Sequence, residues 1–177
     1  DKGKTWTELS FELEQRILYT FTRVNSTLFA VGKGLFRSTD LGDTWQETDT
    51  MFHNTYIQDL CQLGSSIIIF TEFGEVFRSE NMGKSWIKID SGIIKDYAYS
   101  IYANGTTYLG TSSKGIFKSD NSGATWIDAN AGLTNTTGNT FCFAGTTLYL
   151  GTTTGVWKLE NALDVEEITF QSLKNHL

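Results

Sequence analysis

An eight-residue pattern that returns about every forty residues limits how this chain can fold more than any other feature. Ser38-Thr39-Asp40-Leu41-Gly42-Asp43-Thr44-Trp45 recurs as Ser79-Glu80-Asn81-Met82-Gly83-Lys84-Ser85-Trp86, and again as Ser119-Asp120-Asn121-Ser122-Gly123-Ala124-Thr125-Trp126. A headless copy, Asp1-Lys2-Gly3-Lys4-Thr5-Trp6, opens the chain. The tryptophans at 6, 45, 86 and 126 are therefore 39, 41 and 40 residues apart. A period near forty, filled by several short strands, is the signature of propeller blades.

Upstream of each pattern lies one recurring strand: Leu35-Phe36-Arg37-Ser38, Val76-Phe77-Arg78-Ser79 and Ile116-Phe117-Lys118-Ser119, with Val156-Trp157-Lys158-Leu159 as a fourth. Before it runs a second strand, as in Thr107-Tyr108-Leu109-Gly110-Thr111 and Thr147-Leu148-Tyr149-Leu150-Gly151-Thr152. Earlier still come alternating stretches such as Ile17-Leu18-Tyr19-Thr20-Phe21 and Tyr97-Ala98-Tyr99-Ser100-Ile101-Tyr102, and a period of two marks a strand with one buried face. The turns Asn25-Ser26, Gly64-Ser65, Asn104-Gly105 and Gly145-Thr146 carry hairpin chemistry. Each unit reads strand, turn, strand, turn, strand, box, strand. The expected fold is all-β, a β-propeller of four-stranded antiparallel blades, about four of them visible and part of a larger propeller.

The residues of the box have local reasons. Asp40, or Asn81 and Asn121 in the other copies, can accept hydrogen bonds from turn N–H groups. Gly42, Gly83 and Gly123 supply a φ that other residues resist. Trp45, Trp86 and Trp126 return the chain into the blade as apolar anchors. This spacing resembles the Asp-box, or BNR, repeat, and the resemblance covers nearly the whole chain. Such boxes occur in sialidases, sortilin-type receptors, xyloglucan-degrading hydrolases and photosystem II assembly factors, where they lie on the turn between third and fourth strands, away from the ligand face. The resemblance thus implies a structural role for Asp1, Gly3, Trp6, Ser38, Asp40, Gly42, Trp45, Ser79, Asn81, Gly83, Trp86, Ser119, Asn121, Gly123 and Trp126.

The chain reads as a single propeller segment over 1–177, with 1–10 as the outer strand of a preceding blade and blades at 16–50, 56–91, 97–130 and 139–171. In the last blade the box fails: Lys158, Leu159, Glu160, Asn161 and Ala162 offer no Ser at the head and no Gly for the turn. Residues 1–10 complete either an earlier blade or, by closing the ring, this last one; residues 164–170 can supply its fourth strand, which favours the first reading. Further blades or a partner chain are expected beside this segment.

A formal charge of −6 argues against nucleic acid, because an acidic surface repels phosphate. The longest apolar run, Ile67-Ile68-Ile69-Phe70, is too short to span a bilayer. Cys61 and Cys142 occupy equivalent positions two blades apart, beyond the roughly 7 Å that a disulfide allows, and are expected free and partly buried. His53 and His176 have no metal-ligand spacing around them, so neither metal nor cofactor is expected. Asn25-Ser26-Thr27, Asn104-Gly105-Thr106 and Asn135-Thr136-Thr137 match the glycosylation acceptor pattern, as chance produces in turns rich in Asn and Thr.

Resemblance to sialidases implies an arginine triad, yet the chain has four arginines. Arg37 and Arg78 fill a scaffold position that Lys118 and Lys158 take elsewhere, which leaves Arg16 and Arg23; without proline the Phe-Arg-Ile-Pro motif cannot exist. A different glycosidase needs two carboxylates across a cleft, and Asp59, Glu72, Glu75 and Asp96 are the acids to inspect, though no spacing pairs them.

What remains is the loop face: the connections between blades at 49–56, 90–97 and 129–139, and the turns between second and third strands. Phe52, His53, Tyr56, Glu72, Phe73, Ile94, Lys95, Tyr97 and Lys114 are the candidate ligand contacts, with Met51, Ile93 and Glu75 near them. Aromatic and apolar loop residues either form a contact surface or plug the space between blades, and both readings stay open. The expected function is a secreted or cell-surface module that binds a protein or carbohydrate and performs no catalysis. The alternatives are part of a glycoside hydrolase completed by other blades, and an assembly factor of the photosystem II type.

Overall fold

The computed structural model describes residues 5, 6, 13, 16–89, 97–104, 106–111, 114–160 and 162. They form four sheets in chain order. The first holds β1 (Leu18–Val24), β2 (Thr27–Gly32), β3 (Gly34–Ser38) and β4 (Gln46–Glu47); the second holds β5 (Ile57–Leu63), β6 (Ser66–Thr71), β7 (Val76–Ser79) and β8 (Ile87–Ile89). The third holds β9 (Ala98–Asn104), β10 (Thr106–Thr111), β11 (Ile116–Ser119) and β12 (Ile127–Asp128). The fourth has three strands among the described residues: β13 (Gly138–Ala144), β14 (Thr147–Thr152) and β15 (Gly155–Leu159). Every neighbouring pair is antiparallel, as short hairpin turns require. Among the described residues there is no α-helix, only a 3-10 turn at Thr50–Phe52 capped by Asp49.

The sheets stack through their first strands, β1 against β5, β5 against β9 and β9 against β13. One inter-sheet core joins Val24, Phe29, Val31 and Leu35 of the first sheet to Ile57, Leu60, Ile67, Ile69, Phe77 and Trp86 of the second. The next repeats that scheme with Ile68, Phe70 and Val76 against Ala98, Ile101 and Trp126. Trp86 and Trp126 therefore fill the gap toward the preceding sheet, while Trp45 packs on Ala30 and Phe36 of its own sheet. Full burial of a large apolar side chain contributes about 1.5–3 kcal/mol. The box glycine belongs to the same contact. A methyl group on Gly83 would stand 2.8 Å from the Phe29 ring, and Gly123 lies against Ile68, which holds the equivalent place in the second sheet.

All four first strands slip register at one point, so that Tyr19, Gln58, Tyr99 and Asn139 are each skipped by the ladder. A bulge of this kind bends the strand and re-aims the extra side chain. The bulges stand where the chain comes into each sheet, on the side of the turns between second and third strands.

Candidate functional site

The box turns form one hydrogen-bond scheme three times. Gly42 N–H donates to Ser38 Oγ at 2.8 Å, Gly83 to Ser79 Oγ at 2.9 Å and Gly123 to Ser119 Oγ at 2.8 Å. Each serine hydroxyl donates in turn to Asp40, Asn81 or Asn121. The same acceptors take the N–H of Thr44, Ser85 and Thr125 at 3.0, 2.9 and 2.8 Å. Donation from Thr44 and Ser38 holds the Asp40 carboxyl at about 2, well below the usual carboxylate range. Trp45, Trp86 and Trp126 are buried, whereas Trp6 is fully exposed; Asp1 and Gly3 lie outside the described residues. The serine hydroxyls and the side-chain oxygens of Asp40, Asn81 and Asn121 thus serve the turns themselves.

The opposite end of the sheets is built differently. Lys33 N–H donates to the carbonyl of Ile17 at 2.8 Å, and Glu72 N–H donates to that of Tyr56 at 2.9 Å. Gly34 N–H donates to Thr55, and Ala98 N–H to Glu72, so each turn is tied to the next sheet as well. These bonds gather Tyr19 from the first sheet, Tyr56, Glu72 and Phe73 from the second, and Tyr97 and Tyr99 from the third. Tyr19 stacks with Tyr56, centroids 6.3 Å apart, and Phe73 meets Tyr97 at 5.7 Å. Tyr19, Phe73, Tyr97 and Tyr99 are exposed while Tyr56 and Glu72 are half-buried. Partial burial, then the charges of Tyr56 and Glu72, push the Tyr19 phenol up from its ordinary value.

Phe52 does not belong to this surface, contrary to the expectation from sequence. It is 1% exposed and packs edge-on against Phe77 and Trp86, because the 3-10 turn folds it inward beneath the loop. His53, one residue later, faces outward and meets Glu47 at 3.1 Å. Lys114 is exposed on the turn of the third sheet, where its carbonyl accepts from Asn130 Nδ2. Ile93, Ile94, Lys95 and Asp96 lie outside the described residues.

Tyr19 and Tyr99 were missed by sequence reasoning. Their signal is the alternation at the start of each first strand, which places aromatics there without telling that a bulge turns them toward solvent.

The remaining acids have partners of their own. Glu75 pairs with Lys88. Asp59 accepts from Leu60 N–H at 2.8 Å, Ile101 N–H at 3.1 Å and Ser100 Oγ at 3.4 Å. Desolvation nevertheless raises its carboxyl above the usual value. Cys61 and Cys142 are both free; Cys61 is buried, and burial, then the charge of Asp59, push its thiol up. Cys142 is exposed, where partial burial was expected, because its counterpart position in the fourth sheet faces outward. No group of three metal-ligating side chains occurs among the described residues, and no helix there is long and apolar enough to cross a membrane.

No protein-family model matches the sequence, and no curated protein matches it. Solved structures do. YCF48 from Cyanidioschyzon merolae superposes with a TM-score of 0.61 at 17% identity, over 81% of this chain and 53% of that one. A structure of YCF48 bound to D1 peptide gives 0.67 at 16% identity, over 91% and 57%. The GH74 enzyme of Niastella koreensis gives 0.61 at 18%, over 77% and 27%, and the computationally designed Ika4 protein 0.69 at 12%, over 88% and 99%. The chain spans about half the length of the YCF48 chain it matches. At such identities the likeness carries the fold alone. With antiparallel sheets stacked through their first strands and these neighbours in common, the chain is a β-propeller.

Proposed function

We propose that this chain is a non-catalytic propeller module that binds a protein or glycan ligand through the face bearing Tyr19, Tyr56, Glu72, Phe73, Tyr97 and Tyr99. The observation that supports it is the division of the aromatic residues. The box tryptophans and Phe52 are consumed by the cores, while Tyr19, Phe73, Tyr97 and Tyr99 stay exposed on one side. Single exposed aromatics are ordinary, but a cluster drawn from three sheets is the composition of a contact surface. Glycoside hydrolysis asks for two carboxylates facing one another, and Asp59 and Glu75 are already engaged within the fold. As a secreted or cell-surface module the protein would meet its ligand in solution. That YCF48 has a structure with a bound peptide makes a protein segment the first ligand to try.

The test is a selection of random displayed peptides, and of an oligosaccharide array, against the chain. Ligands so obtained are expected to lose at least about ten-fold in affinity, roughly 1.4 kcal/mol, on the double replacement Phe73→Ala and Tyr97→Ala. Ligands that bind the double variant unchanged would refute this reading of the face.

A further inference from the structure

The chemistry of this face also points to the kind of side chain it receives, an inference that rests on the binding function above. Glu72 is held by its main chain between two sheets, donating to Tyr56 and accepting from Ala98. Its half-buried carboxylate has no hydrogen bond or ion pair among the described residues. Other acids do: Glu47 meets His53, Glu75 meets Lys88, and Asp59 is satisfied by backbone N–H groups. Lys33, whose backbone bridges Tyr56, makes no ion pair with Glu72. Burial first, then the charges of Tyr56 and Glu72, raise the Tyr19 phenol, so the Glu72 carboxylate stands within electrostatic reach of that ring.

Beside that carboxylate stand the stacked rings of Tyr19 and Tyr56, and next to it in sequence Phe73 leans on Tyr97. Aromatic faces attract cations through their quadrupole, and a carboxylate adds charge-assisted hydrogen bonds. The net charge of −6 favours approach of a basic segment over an acidic one. A neutral sugar would stack on the rings and give hydroxyl hydrogen bonds to Glu72, but it brings no opposite charge, and a cationic donor makes the stronger, charge-assisted bond. Planar guanidinium suits both a ring and a carboxylate better than an ammonium does. We propose that this face recognises an extended peptide segment through an arginine side chain laid against Tyr19 and Tyr56 and paired with Glu72.

The probe is the peptide acetyl-Gly-Ser-Arg-Ser-Gly-amide, with citrulline replacing arginine in its control, titrated into the chain and followed by NMR of the tyrosine rings. The arginine peptide should shift Tyr19 and Tyr56 saturably and bind at least about five-fold more tightly than the citrulline peptide. Glu72→Gln should erase that preference and Glu72→Asp should keep part of it, with circular dichroism verifying the fold of both variants. Equal affinity for the two peptides, an unchanged preference in Glu72→Gln, or an oligosaccharide shifting the two tyrosines where the arginine peptide does not, would each overturn the proposal. Selected ligands that need Phe73 and Tyr97 yet carry no basic residue would remove the arginine site and leave the binding module standing. Ligands indifferent to the whole face would remove the module itself.

Discussion

Leu41, Met82 and Ser122 hold left-handed backbone at φ of 64, 58 and 57°, each just before the box glycine. That conformation costs an ordinary residue about 1–2 kcal/mol, which the surrounding hydrogen bonds offset. Leu41 is 75% exposed, so its side chain gives back little in burial, whereas Met82 packs on the first inter-sheet core. Leu41→Asn should therefore stabilise the protein by about 0.5–1 kcal/mol, since asparagine tolerates this region. Thermal unfolding should move up by roughly 1–4 °C. An unchanged or lower midpoint would mean that the leucine makes a contact that outweighs the strain. The chemistry of the box was legible because all its bonds close within eight residues, from Ser38 to Trp45. Phe52 was not legible, because the inward aim of a loop aromatic depends on a single 3-10 turn packed against Phe77 and Trp86.

Strands, turns and their order could be read from the repeat, but the bulges could not. Alternation reports that Ile17 to Phe21 form a strand, and a bulge at Tyr19 breaks that alternation only in the ladder, not in the composition. Yet the bulge decides both the exposed tyrosines and the place of Asp59. Thr20, Asp59, Ser100 and Thr140 follow the slip in their strands, three hydroxyls and one carboxylate. Asp59 uses that position to bond the neighbouring bulge through Ile101 N–H and Ser100. Its folded-state pKa lies above the unfolded value of about 3.9, so its contribution is fully present below that value and is lost as pH rises through the folded-state pKa. Relative to Asp59→Asn, the wild type should be most favoured in mild acid and least favoured near neutrality. Urea unfolding of both proteins across that range checks it. A difference independent of pH, or one that grows in the wild type's favour toward neutrality, would show that hydrogen bonding and not desolvation governs this carboxyl.

The described residues form a row of sheets whose contacts repeat, so equivalent positions can be compared from sheet to sheet. Leu35, Val76 and Ile116 hold the equivalent place opposite the penultimate residues of their second strands, and all three are buried against the following sheet. Val156 holds that place in the fourth sheet and is 76% exposed. On the other flank, Leu60 and Ile101 are buried against the preceding sheet, while their counterpart Phe21 is 59% exposed. No packing comparable to that between successive sheets joins β13 to β1 among the described residues. Within the chain, residues of these two kinds meet: Leu35 shares a core with Leu60, Val76 with Ile101, and Ile116 with Phe141. The two flanks thus carry the two kinds of residue that meet within the chain, and we propose that another blade of this repeat, from a longer chain or a second copy, fits them. Alone in solution, the chain should associate head to tail, its sedimenting mass rising with concentration. Phe21→Lys and Val156→Lys should each be monomeric, since either leaves one flank unable to bury its partner. Mixed together they should form a dimer and nothing larger, because one intact flank remains on each chain. A wild type that stays monomeric at every concentration, or mixed variants that ignore one another, would mean that the flanks close on themselves instead.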